Sequence, residues 1–222
     1  MLNGNALKLI AALSMLLDHV GVILFPGQQW LRIVGRLAFP IYAFMIAEGC
    51  KYTRSKKRYL GLLAALAALC QIVYYLFDGS TYFSVLTTFC LSILTIYAMD
   101  RVKEHPGPIS LWLLWFALVG VWLLNRQFTI DYGFWGCMVP VFTSLPVKTR
   151  WDRPYVRVAA LGVGLLLLCQ DSNAYQYYSL LALPLLLCYN GARGKWNLKY
   201  FFYIFYPAHL AILQGIATLM GR

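Results

Sequence analysis

The chain has 222 residues, 61% of them hydrophobic and 12% charged, with a formal net charge of +11. A soluble domain carries roughly 25% charged residues, so this composition excludes a water-facing surface and calls for a lipid-facing one. The Lys and Arg excess sits in short clusters between apolar runs, not along one face, and this excludes a nucleic-acid partner.

The apolar runs approach twenty residues and lack the alternation of a membrane β-barrel. They predict an all-α class, a polytopic transmembrane helix bundle of about nine spans forming one domain over residues 1–222. In chain order the spans fall at about 6–25, 29–50, 59–77, 83–99, 109–124, 132–147, 155–169, 177–189 and 198–220. The first carries Asp18 and His19 and has no small-x-small site after it, so no cleavable leader is expected. Six cysteines lie in or near apolar runs without a CxxC pair, which reads as small buried hydrophobes and leaves no metal site.

Basic residues mark alternate connections. Lys51, Arg54, Lys56, Lys57 and Arg58 fill the second, Arg101 and Lys103 the fourth, and Lys148, Arg150, Arg153 and Arg157 lie in or beside the sixth. Arg193, Lys195 and Lys199 fill the eighth, whereas the odd connections share Arg126 alone. The positive-inside rule then places the N-terminus in the cytosol, in a multi-pass protein of the bacterial cytoplasmic membrane in contact with lipid headgroups.

Ionisable groups inside spans are costly and mark function first. Asp18 and His19 lie in the first span, Arg32, Arg36 and Glu48 in the second, and His209 in the ninth, while Asp131 and Tyr132 open the sixth. At 1.5 Å per residue His19 lies roughly 9 Å, and Arg36 roughly 10 Å, below the outer surface. A short turn at Pro26 and Gly27 joins their spans, so Asp18, His19 and Arg36 are expected to meet at one level, with Arg32 one helical turn above Arg36. An imidazole beside an acid and facing an arginine suits a general base, with Asp18 orienting His19 and Arg36 available to an oxyanion. Pro207 frees the Tyr203 carbonyl, and Tyr206 and His209 share a helix face.

The blocks LSMLLDHVGVILFP and WLRIVGRLAFPIYAFMIAEG resemble the N-terminal signature of the TraX family, whose name-giving member acetylates the N-terminus of conjugative pilin. IDYGFWG at 130–136 and NGARGKW with KYFFYIFYPAHLAIL at 190–213 resemble its later motifs, in the same order along nearly the whole chain. Two positions depart from the pattern: Gln71-Ile72-Val73 stands where Gln-Ile-Pro is expected, and Ser84 where an Asn is expected.

The resemblance implies a membrane acyltransferase taking acetyl from acetyl-CoA on the cytosolic side, for a peptide, pilin or small-molecule acceptor with an amine or hydroxyl. His19, Asp18, Arg36, His209 and Tyr206 would form its catalytic set. The coenzyme would lie against Arg193, Lys195, Lys199, Tyr203, Glu48 and Arg32, where glycines 191 and 194 let backbone approach phosphate. The alternative from the residues alone is a small transporter of a proton or anionic solute along the same polar line, and a third is a scaffold subunit without chemistry. The acceptor's identity, the acyl length and a covalent acetyl-histidine stay open, and so does oligomerisation.

Overall fold

The structure is a computed structural model that describes residues 1–79, 81–192, 194–195 and 199–220, leaving aside the side chains of residues 77, 78, 199, 200, 202 and 203. Among the described residues it is all-helical, with two isolated β-bridges, Leu2 to Tyr189 and Phe83 to Ile130. The helices are α1 (Gly4–Ile23), α2 (Gln29–Gly35), α3 (Ala38–Tyr52), α4 (Lys56–Asp78), α5 (Val85–Glu104) and α6 (Pro108–Gln127). They continue with α7 (Gly133–Ser144), α8 (Pro154–Gln170), a 3₁₀ segment (Ala174–Leu181), α9 (Ala182–Leu187) and α10 (Lys199–Leu219).

Among the described residues, five stretches are long and apolar enough to cross a membrane: 4–23, 29–52, 56–76, 85–104 and 108–127. Lipid exposure differs sharply between them. The buried share is 67% for 29–52 and 56% for α5, but 11% for α4 and for α6. The first two therefore form the centre of the bundle, while α4 and α6 turn Leu, Trp and Phe outward. Trp112, Trp115 and Phe116 are each half exposed and touch one another, an apolar patch that water would not tolerate but lipid accepts.

Three elements depart from the expected spans, and one of them, the sixth, shortens to the 12 residues of α7. The second breaks at Arg36–Leu37, because Pro40 has no N–H for the Arg36 carbonyl and its ring crowds that carbonyl. Pro40 thereby falls in the first turn of α3, where proline is tolerated. The expected eighth span resolves into eight 3₁₀ residues and the six-residue α9, short of the ~20 residues of a straight crossing. Pro207, by contrast, sits inside α10 without ending it.

Buried side chains of α1, α3, α5, α7 and α8 make the core, with Phe44, Ile41, Leu7, Ile93 and Leu161 fully enclosed. Hydroxyls inside it satisfy themselves on backbone. Ser92 Oγ donates to the Thr88 carbonyl and, across helices, to that of Cys137 at 2.7 Å, tying α5 to α7. All six cysteines are free thiols.

The basic connections gather at one end. Lys148 bridges Asp100 at 2.7 Å and Glu104 at 2.6 Å, and Lys51 meets Asp152 at 2.9 Å. Lys103 Nζ donates to the carbonyls of Ser144, Leu145 and Val147, a cation satisfying the open C-terminal end of α7. Burial is the largest single influence on Asp152 and opposes its charge, but the hydrogen bond and charge of Lys51, together with Arg157 and the Lys148 backbone, outweigh it and hold the carboxyl below its ordinary range.

Candidate functional site

Residues 18 and 19 diverge. They are neighbours on α1, so their side chains leave the helix about 100° apart and serve different partners. Asp18 faces α2. Its carboxylate accepts from Arg36 Nη2 at 2.8 and 2.9 Å and from Arg32 Nη1 at 3.0 Å. Gly35 makes this approach possible, because a Cβ there would lie 2.3 Å from Asp18 Oδ1. A second glycine, Gly21, admits Leu31 in the same way.

Arg36 has further partners. Its Nη1 donates to Gln176 Oε1 at 3.2 Å, and its guanidinium lies 6.0 Å from the centre of the Tyr132 ring. That ring stacks on Phe39 at 4.0 Å. Tyr132 holds a left-handed backbone (φ +62°), a costly conformation for a bulky residue that the surroundings enforce. The segment is stapled in place: Asp131 N–H donates to the Phe83 carbonyl at 2.9 Å, and Thr88 Oγ1 to the Asp131 carbonyl at 2.6 Å. The Asp131 carboxylate accepts from the Tyr82 hydroxyl at 2.6 Å. Burial pushes this carboxyl, in the connection between α6 and α7, up to about 6 against the opposing pull of Tyr82 and Arg36.

His19 faces α10. Its Nδ1 lies 3.0 Å from the Met15 carbonyl and 3.1 Å from His209 Nε2, while His209 Nδ1 lies 2.8 Å from the Phe205 carbonyl. One proton assignment satisfies all three contacts. His209 Nδ1–H donates to Phe205, His19 Nδ1–H is shared between Met15 and His209, and His19 Nε2 keeps its lone pair. Phe205 stacks flat on the His209 ring at 4.9 Å and Tyr206 meets its edge at 5.5 Å. Asp18 orients the two arginines, so the expectation that it orients His19 is corrected: backbone and a second imidazole do so.

A cavity of about 700 Å³ reaches two residues that touch this pair, while neither imidazole itself is in its lining. At the end with the basic connections Lys8 and Arg58 line its mouth, and deeper it reaches Tyr42, Met15 and Tyr206. The last two are the residues that hold or touch the imidazoles. Glu48 lines the wall, paired with the buried Arg157 and facing the Tyr189 hydroxyl at 3.5 Å. Gly191 (φ +74°) borders the mouth, and Gly194 (φ +92°) packs on Asn5.

Of the residues expected to hold coenzyme, Glu48 reaches the cavity, whereas Arg32 belongs to the Asp18 cluster. Lys195 is exposed on the loop beside the mouth. Arg193 and the side chains of Lys199 and Tyr203 lie outside the described residues. Gln176 and Tyr82 carried no sequence signal, since both sit in ordinary polar connections. Lys8 and Arg58 were hidden among the basic residues that set topology.

Residues 3–217 match the family model described as TraX protein. The chain belongs to the TraX family. It is 28% identical to a probable fimbrial assembly protein FimC, serogroup H1, of Dichelobacter nodosus, covering 93% of this chain and 92% of that protein. It is 24% identical to Protein TraX of Escherichia coli, over 96% of this chain and 86% of that protein. No solved structure matches.

Proposed function

We propose that this TraX family member is an acetyltransferase of the bacterial cytoplasmic membrane. It takes acetyl from cytosolic acetyl-CoA and passes it to an amine or hydroxyl acceptor, such as the N-terminus of a pilin or other peptide. The N-terminus and the basic connections face the cytosol, which puts the cavity mouth with Lys8 and Arg58 on the side of the donor. The names of the two relatives, one a fimbrial assembly protein, favour a role in pilus biogenesis or conjugation.

The observation that carries this reading is the His19–His209 contact, made by residues 190 positions apart and flanked by Met15 and Tyr206, two residues that line a cavity with Lys8 and Arg58 at its mouth. The coenzyme's phosphates sit against Lys8 and Arg58, and the thioester arm follows the apolar wall towards Met15 and Tyr206. His19 Nε2 takes the proton of the attacking nitrogen or oxygen as its bond to the acetyl carbon forms. Arg32 and Arg36 supply positive potential for the oxyanion. The carbon–sulfur bond then breaks and His19 returns the proton to the leaving thiolate, giving the acetylated acceptor and free thiol. His209 holds the first imidazole in the tautomer that leaves Nε2 free.

Purified protein in detergent, given acetyl-CoA and an amine acceptor, is expected to release free thiol, and His19→Ala to reduce the rate by at least about a hundredfold. Equal release by the variant removes His19 from catalysis. Acetyl-CoA-independent counterflow of solute in reconstituted vesicles points to the transporter instead.

A further inference from the structure

Asp131 differs from the other interior carboxylates. Asp18, Glu48 and Asp100 each hold a guanidinium or ammonium at ion-pair distance. Among the described residues no cationic side chain comes that close to Asp131, although the carboxylate is densely surrounded and still partly open to solvent. Its hydrogen bonds come from the Tyr82 hydroxyl and the Tyr132 backbone N–H. A carboxylate offers about four acceptor positions, so this leaves capacity for a ligand. The nearby Tyr132 ring is already occupied, stacked on Phe39 and lying under the Arg36 guanidinium, so the carboxylate and the Tyr82 hydroxyl are the groups left for a ligand. The charged neighbours acting on Asp131 are Arg36, which favours its charge, and Asp18, which opposes it, and neither reaches ion-pair distance.

We propose that Asp131, with the Tyr82 hydroxyl, forms a subsite for a primary ammonium group and selects an amine over a hydroxyl as acceptor. Its purpose rests on the acetyltransferase reading; its binding test does not. An ammonium brings opposite charge and three donors to a carboxylate that has no ion-pair partner among the described residues, whereas a hydroxyl brings one donor and no charge. The subsite lies in the connection before α7, and the opposite end of α7 is the one capped by Lys103 among the basic connections. Acceptor and thioester therefore approach the centre from opposite ends of the bundle. The Asp131–Tyr132–Gly133 stretch is strained and clamped to the 83–88 segment, which fixes the subsite before any ligand arrives.

The full-length protein in lipid nanodiscs is titrated with alaninamide, a primary amine without a carboxylate, and with N-acetylalaninamide, its neutral counterpart, following intrinsic tryptophan fluorescence. Alaninamide is expected to saturate, with N-acetylalaninamide at least about tenfold weaker. Asp131→Asn should lower alaninamide affinity by about tenfold or more, and Tyr82→Phe by a smaller factor of about three. Acetyl-CoA affinity should stay unchanged in both. Equal responses to the two probes overturn the subsite, and so does wild-type alaninamide affinity in Asp131→Asn. Where that variant fails to fold, Tyr82→Phe decides in the same way. Asp131-dependent alaninamide binding without thiol release from acetyl-CoA supports the subsite while removing the transferase reading.

Discussion

The two consecutive residues Asp18 and His19 anchor clusters of opposite character. Around Asp18 every group is charged and paired, and two guanidiniums converge on one carboxylate inside a bundle where bare charge is very costly. Around His19 the groups are neutral rings on backbone carbonyls, and one nitrogen is left without a proton to give. The first arrangement resists change because removing any member strands another. The second keeps a lone pair that can accept a proton, which is what the proposed transfer asks of it. A pair of adjacent polar residues on a transmembrane helix is thus two sites, divided by the 100° turn between them.

The contrast breaks most visibly at Asp18. Asp18→Ala leaves two buried guanidiniums without their carboxylate and should cost about 3–5 kcal/mol, read as a lowered unfolding midpoint of the purified protein. Gly35→Ala tests the same lock sterically: a Cβ 2.3 Å from Asp18 Oδ1 must push α1 and α2 apart, for about 1–3 kcal/mol. His209→Asn should behave in the opposite sense, lowering thiol release by about a hundredfold while changing stability by only about 1 kcal/mol.

The smallest effect calibrates the others. Lys51 and Asp152 form an ion pair at the bundle's charged end, more open to solvent than Arg36. Because Asp152 is held below its ordinary range, its contribution is present above the unfolded pKa of about 4 and lost as pH falls through the lower folded value. Lys51→Met should therefore cost about 0.5 kcal/mol at pH 7, and the two proteins should converge once the pH is low enough to protonate Asp152 in the folded state.

Much of the architecture is legible in the residues, because apolar runs near twenty residues can only be helices that meet lipid. The Asp18–Arg36 contact was legible as well. A short turn and the helical rise put both at one depth, and opposite charges in lipid find each other. The interruption at Arg36–Leu37 needed the structure to place it, since both residues keep right-handed helical angles while the Leu37 N–H turns to the Val34 carbonyl. The eighth span misled because an apolar stretch does not reveal that it coils as 3₁₀ and stops short. The convergence of His19 and His209 was implied by the family resemblance, which put both in one catalytic set, whereas no local pattern states that the first and last helices pack together. Gln176 was equally silent, being one amide in a polar connection.

The central claim is that the two imidazoles act as one unit, and a double-mutant cycle tests it most directly. Thiol release from acetyl-CoA is measured for wild type, His19→Ala, His209→Ala and the double variant, with unfolding midpoints recorded alongside. The account predicts that the double variant is no slower than His19→Ala alone. Losses that multiply, so that the double variant falls by the product of the two single effects, would contradict it.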